Sequence, residues 1–212
     1  MIEIQELFKI FRKNKINFFT GVPDSVLKNF SSYIDKKKYK NIIASNEGAA
    51  VAIASGYHLS SKKIACVYMQ NSGLGNAINP LISIANKNVY NIPMLLLIGW
   101  RGAPLLKDEP QHIEKGKITT NLLRLLRIKY CILDAKKDLK KLNKLIKNSK
   151  KNIIACLIKD KKLNYKNKNI QINVKKYIDK KKFLEILLKN VNKNSKIIST
   201  TGYTSRELLK VR

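Results

Sequence analysis

The sequence predicts an α/β protein built as a three-layer open parallel sheet with helices on both faces. Helical and strand-like hydrophobic patterns alternate through its first half, the order that builds βαβ units. The run Met94 to Ile98 is apolar without alternation, as a strand covered on both faces must be. The unusual residues bunch at strand-to-loop junctions, at Asp24, Asn46-Glu47, Gln70 to Gly75 and Trp100 to His112. Ligands in open α/β sheets bind beyond the carboxyl ends of the strands, so these loops are expected to share one edge.

In chain order, Ile4, Leu7, Phe8 and Phe11 fall at helical spacing over Ile4 to Lys13. Phe18-Phe19-Thr20 then enters the turn Gly21-Val-Pro-Asp-Ser25, where Asp24 or Ser25 can cap a helix running through Phe30. Asn41 to Ala44 is a short strand, and Ala49 to Leu59 a helix of small and apolar residues. Ile64 to Met69 is a strand, Asn76 to Ala85 a helix, and Met94 to Ile98 a strand that empties into a long polar loop. A helix follows over Thr119 to Leu126. The second half reads as an amphipathic helix (Leu139 to Ile146), a strand (Asn152 to Ile158) and a Lys/Asn-rich linker (Leu163 to Lys176). Beyond it come a helix (Lys181 to Val191), a strand (Lys196 to Ser199) and a turn opening a last helix. A strand and two half-helices cannot bury a core alone. The expected organisation is therefore one domain over 1–165, a linker over 166–180, and the start of a second domain over 181–212.

The chain has 212 residues and a hydrophobic content of 44%, enough to exclude disorder along its whole length. No apolar run reaches the roughly 18 residues of a membrane span, and the start, Met1-Ile-Glu-Ile-Gln-Glu, has no basic region followed by an apolar one. A cytoplasmic protein with no membrane partner is expected. Cys66, Cys131 and Cys156 are odd in number and widely spaced, which argues for reduced thiols rather than disulfides or a CxxC metal site. The net charge of +29 would by itself suggest nucleic acid. Yet 37 of the 43 basic residues are Lys, in a chain with 28 Ile and 22 Asn, whereas base and phosphate readers favour Arg for its bidentate fork. The charge is +7 over residues 1–112 and +22 over 113–212. Its lysine runs read as solvated surface, so no nucleic-acid partner is expected. A non-catalytic basic binding module is the competing class, and a steep salt dependence of DNA binding would reveal it.

Glu47 follows a strand and opens a helix whose next residues are Gly48, Ala49 and Ala50. A first-turn carboxylate complements the helix dipole; the functional alternative is a carboxyl held in an apolar pocket, its pKa raised by desolvation, with small neighbours leaving room for a flat ring. Asn71-Ser-Gly-Leu-Gly-Asn76 lacks both the third glycine of GxGxxG and the Gly-Lys-Ser/Thr end of a P-loop, and reads as a tight turn needing close backbone approach. His58 reads as structural. His112, in Asp108-Glu-Pro-Gln-His112, is placed in a loop, where catalysis and local hydrogen bonding are both open to it.

Gly21-Val-Pro-Asp-Ser25, Ser45-Asn-Glu-Gly-Ala-Ala50, Ala54-Ser-Gly-Tyr-His58, Gln70-Asn-Ser-Gly-Leu-Gly-Asn-Ala-Ile-Asn-Pro80, Ile92-Pro-Met-Leu-Leu-Leu-Ile-Gly-Trp-Arg-Gly102 and Lys107-Asp-Glu-Pro-Gln-His112 together resemble the phosphonopyruvate decarboxylases. These are thiamine-diphosphate-dependent 2-keto acid decarboxylases, similar to the sulfopyruvate decarboxylases and more distant from acetolactate synthase and pyruvate decarboxylase. The resemblance resumes at Ser199-Thr-Thr-Gly-Tyr-Thr-Ser-Arg-Glu-Leu208. It implies a pyrimidine-binding (Pyr) domain over 1–165, the start of a diphosphate-binding (PP) domain at the close, and decarboxylation of 3-phosphonopyruvate to phosphonoacetaldehyde and CO2. It implies that Glu47 hydrogen-bonds N1' of thiamine diphosphate as the acid-base group, and that Asn71, Ser72 and Gly73 help to bind that cofactor. His112 falls where the pyruvate decarboxylases carry a histidine after the same strand and loop, implying a proton relay or a contact to the substrate's anionic head. Asp24 and Arg101 are further substrate-binding candidates, Asp24 lying out of register with the Gly-Val-Pro-Gly-Asp pattern of the pyruvate decarboxylases. The family's Gly-Asp-Gly segment, which holds Mg²⁺ and the diphosphate, does not occur in the sequence. The PP domain is then expected from the rest of a longer reading frame or from another subunit, and the opening Thr-Gly-Tyr-Thr-Ser turn of that domain argues for the first. A homo-oligomer with shared active sites is implied, and this chain alone is expected to bind the cofactor weakly without turnover.

Overall fold

The computed structural model describes residues 1–165, 178–192, 194–199 and 202–211. It divides into two units, 1–166 and 167–212. The first is a six-stranded, wholly parallel sheet between two helical layers. Its elements are β1 (Ile2–Glu3), α1 (Ile4–Lys13), β2 (Phe18–Gly21), α2 (Lys28–Lys36), β3 (Lys40–Ile43), α3 (Glu47–Ser61), β4 (Ala65–Gln70), α4 (Leu74–Ser83), β5 (Met94–Trp100), α5 (Pro110–Leu125), β6 (Lys129–Leu133), α6 (Asp138–Asn148), β7 (Ile154–Lys159) and β8 (Leu163–Asn164). The sheet order is β3-β2-β4-β5-β7-β6, and β1 pairs separately with β8.

Period-2 alternation divides the core strands between the two layers. Cys66 and Tyr68 of β4, Leu95 and Leu97 of β5, and Cys156 and Ile158 of β7 face α1, α2 and α6. Val67, Met69, Leu96, Ile98 and Leu157 face α3, α4 and α5. The first layer is aromatic: Phe8 lies within 5.5 Å of the ring centroids of Phe11, Phe19, Phe30, Tyr33 and Tyr39. The second is built on small residues, Ala50, Ala54 and Ala77, which let α3 and α4 approach closely.

Several elements differ from expectation. The helix expected to end at Phe30 continues to Lys36, since Tyr33 and Ile34 extend its buried face. The loop after β5, Arg101 to Glu109, is shorter than expected. Pro110 presets φ at the start of α5, so the helix expected over Thr119 to Leu126 begins nine residues earlier and takes His112 into its first turn. Strand β6 has no counterpart in the sequence pattern. It follows α5 through Arg127, which adopts φ 56° where a glycine would have marked the turn. The two-residue strands β1 and β8 were likewise not expected, and β8 falls in the stretch read as linker. Most of that linker, residues 166–177, lies outside the described residues.

In the second unit, α7 (Lys180–Asn190) is capped by the Asp179 carboxylate, which accepts from the amides of Lys181 and Lys182 at 2.9 and 3.2 Å. An ion pair of 2.9 Å from Lys180 to Glu207 ties it to α8 (Tyr203–Val211). Lys196 to Ser199, expected as a strand, is exposed and pairs with nothing among the described residues. A lone strand has no ladder to satisfy its backbone.

Candidate active site

The chain leaves β2 toward β3 on one side and crosses back to β4 on the other, so the crevice between the carboxyl ends of β2 and β4 is a topological switch point. Gly21 ends β2 because a Cβ there would strike the Tyr68 carbonyl. Pro23 then turns the chain and Asp24 folds over the crevice, only 8% exposed. Its Oδ1 accepts from Gln70 Nε2 at 2.7 Å and its Oδ2 from the Leu27 amide at 3.2 Å. Gln70 Oε1 in turn accepts from the Ser72 hydroxyl at 2.7 Å. Asp24 thus bridges the switch point and holds the end of β4.

A single 3-10 turn, Asn71–Gly73, carries the chain from β4 into α4. Buried Asn71 fixes that turn. Its Oδ1 accepts from the Arg101 amide at 3.0 Å, and its Nδ2 donates to the Arg101 carbonyl at 3.0 Å and to Thr119 Oγ1 at 2.9 Å. Both polar atoms of its side chain are engaged within the protein. Gly73 lies flat against Glu47, and a Cβ at 73 would stand 2.5 Å from Glu47 Cγ.

Glu47 is the first residue of α3. Asn46 starts that helix by accepting from the Ala49 amide at 2.8 Å, so the Glu47 carboxyl is aimed along the sheet edge at the positive end of the helix. Its Oε2 accepts from Asn76 Nδ2 at 2.9 Å. The carboxyl is half-buried. The enclosed apolar pocket expected for it is not built by this chain's described residues, because the half-buried carboxyl has Gly73 and the polar Asn76 amide against it.

Arg101 does not reach outward as a substrate group would. Its Nε bonds both carboxylate oxygens of Asp108, at 2.8 and 3.1 Å, its Nη2 pairs with the same carboxylate, and its Nη1 donates to Ser25 Oγ at 3.1 Å. Asp108 also accepts from the Gly102 and Glu109 amides at 2.6 and 2.8 Å. The Arg101 hydrogen bonds, outweighing partial burial, hold the Asp108 carboxyl far below the usual carboxylate range. The clasp ties the loop after β5 to the loop after β2. His112 stands in the first turn of α5, half-buried, and its ring makes no hydrogen bond among the described residues. Gly102, at φ 63°, packs against its carbonyl, leaving no room for a side chain there.

The structure therefore brings Asp24, Ser72, Gly73 and Glu47 onto one connected edge, with Asn71 tying it to Arg101 at the end of β5. The roles of Gln70, Asn76 and Asp108 had not been recognised in the sequence. Each is a polar residue at a strand or helix end, and nothing local marks its partner.

Solved thiamine-diphosphate-dependent enzymes share this parallel αβα sandwich. Benzoylformate decarboxylase from Polynucleobacter necessarius superposes with TM-score 0.56 and 18% identity, over 88% of this chain and 36% of that one. The 4-hydroxybenzoylformate decarboxylase of Rhodococcus jostii RHA1 gives TM-score 0.54 and 14% identity, over 86% and 37%. At these identities the likeness is one of fold. Residues 4–121 match the family of thiamine pyrophosphate enzymes, N-terminal TPP binding domain, and the chain belongs to that family. Among its relatives, phosphonopyruvate decarboxylase from Streptomyces viridochromogenes is 38% identical over 114 residues, 53% of this chain and 28% of that protein. The alpha subunit of sulfopyruvate decarboxylase from Methanococcus maripaludis is 34% identical over 127 residues, 59% of this chain and 74% of that subunit. Its counterpart from Methanocaldococcus jannaschii is 36% identical, over 58% and 70%. The match thus spans under a third of the phosphonopyruvate decarboxylase.

Proposed function

We propose that this chain supplies the pyrimidine-binding part of a thiamine-diphosphate-dependent decarboxylase that converts 3-phosphonopyruvate to phosphonoacetaldehyde and CO2. The observation that carries the proposal is the placement of Glu47: a carboxyl at the sheet's carboxyl edge, propped from behind by Gly73 and Asn76 and open in front. The residues fit an aminopyrimidine. Only glycine at 73 leaves room for the Glu47 carboxyl itself, and that half-buried carboxyl keeps an exposed side that a flat ring can approach. When bound, thiamine diphosphate supplies the electron sink for the bond broken on loss of CO2. Glu47 holds and moves the proton at its carboxyl oxygen, Asn76 fixes the rotamer, and the chain Asp24–Gln70–Ser72 keeps the Asn71–Gly73 turn at the right height.

Mg²⁺ is a different matter. Among the described residues no group of three or more His, Cys, Asp or Glu could hold a metal, so these residues do not fit it and no step is assigned to it. In this proposal the metal and the diphosphate belong to a PP domain from the rest of a longer chain or from another subunit, within a homo-oligomer that shares its active sites. Because Arg101 is engaged by Asp108, the substrate's anionic head falls to His112 and to PP-domain residues.

The sulfopyruvate decarboxylase alpha subunits favour a second reading, in which the head is a sulfonate, because this chain covers 74% of one such subunit. Assaying phosphonopyruvate, sulfopyruvate and pyruvate side by side on the complete enzyme separates the two. The preferred head is read from kcat/KM, and turnover of none of them would reject both. Glu47→Gln should cut turnover by more than about 10²-fold, the lower end for an acid-base group.

A further inference from the structure

The edge of the sheet opposite the candidate active site is almost free of carboxylates. Of the eleven Asp and Glu in residues 1–165, Asp35 alone lies in the last turn of a helix. The other ten lie in loops leaving strands or at and near helix starts. At that opposite edge the carboxyl ends of α1, α3 and α6 meet around a cavity of about 600 Å³. Its rim carries six lysines, Lys13, Lys15, Lys62, Lys63, Lys147 and Lys150, and its floor is Ile64, Pro93 and Ile146. Two bonds between elements fix the walls: His58 Nδ1 to the Lys63 carbonyl at 2.9 Å, and Asn14 Nδ2 to Asn143 Oδ1 at 3.0 Å. None of the six ammonium groups pairs with a carboxylate among the described residues.

Helix dipoles explain part of this. Each helix end contributes roughly −0.5 of a charge, so three offset about 1.5 of the six positive charges. About +4 to +5 is left around one concavity, and charges this close are not fully screened over a Debye length of about 8 Å. An orthophosphate cannot neutralise that excess. A triphosphate group, with about four negative charges, can. No Phe, Tyr or Trp and no arginine lines the cavity, and its one imidazole, His58, is tied to the Lys63 carbonyl, so it offers neither a broad stacking platform for bases nor the bidentate fork of a sequence reader.

We infer that this cavity binds a small oligophosphate, either inorganic tripolyphosphate or the triphosphate of a nucleotide whose base stays in solvent. The site is independent of the decarboxylase proposal and stands or falls without it. The test is calorimetric titration of the whole chain with tripolyphosphate, ATP, AMP and orthophosphate at about 50 and 150 mM salt. Tripolyphosphate and ATP should bind with sub-millimolar Kd within about threefold of each other, and AMP and orthophosphate at least about tenfold more weakly. Lys62→Glu with Lys63→Glu and Lys150→Glu should weaken tripolyphosphate at least about tenfold, and Lys62→Ala with Lys63→Ala about threefold or more. The same charge change at Lys180, Lys181 and Lys182 should alter it less than about twofold. Circular dichroism checks that each variant is folded. Equal losses in the two charge-reversal variants, no binding at about 1 mM ligand, or ATP binding tenfold tighter than tripolyphosphate would each overturn the inference. So would duplex DNA that binds and is not displaced by tripolyphosphate.

Discussion

Gly73→Ala isolates the geometry of Glu47 from its chemistry. Gly73 sits at φ −75°, ψ −12°, a right-handed helical conformation that alanine adopts freely, so the substitution imposes no backbone strain and should leave stability equal or slightly higher. The added methyl would overlap Glu47 Oε1 and Cδ and stand 2.5 Å from its Cγ, against an ordinary carbon–carbon contact of about 3.5 Å. The Glu47 carboxyl must therefore retreat by more than about 1 Å, giving up its bond to Asn76. A misplacement of about 1 Å in a reacting group can cost on the order of 10²-fold in rate. The assay is steady-state decarboxylation by the complete enzyme, run beside thermal unfolding of each variant. The expected result is a fall of about 10²-fold in kcat with an unchanged or raised Tm. The double variant with Glu47→Gln should be no slower than Glu47→Gln alone, because both changes act through one carboxyl. Activity within about threefold of the parent, or losses that multiply in the double variant, would refute the placement of Glu47 against Gly73 as the basis of its role.

Asn71→Ala should destabilise the protein by about 2 kcal/mol in denaturant unfolding, since it leaves the Arg101 amide and carbonyl without partners at a buried turn. Asp108→Asn should lower Tm at neutral pH by removing charge-assisted bonds worth about 2 kcal/mol. Because the folded state holds the Asp108 carboxyl below its unfolded value, its contribution is present above about pH 4 and is lost as pH falls further. The Tm gap between parent and variant should therefore narrow in acid, and a gap constant from about pH 7 to 3 would contradict the clasp.

Much of this architecture is written locally. Ile4, Leu7, Phe8 and Phe11 announce a helix, Met94 to Ile98 announces a buried strand, and Asn46-Glu47 marks a helix start whose carboxyl must face the carboxyl edge of any parallel sheet. Those features depend only on periodicity and capping, which neighbouring residues settle among themselves. Tertiary structure decided what depends on strand order. It placed β7 between β5 and β6, brought Asp24 to Gln70 across 46 residues and Asn71 to Thr119 across 48, and turned Arg101 from an apparent substrate group into one half of a clasp with Asp108. A side chain's role is set by whichever charge or dipole lies within about 3 Å of it, and in a parallel sheet that partner comes from a strand whose position no local pattern records.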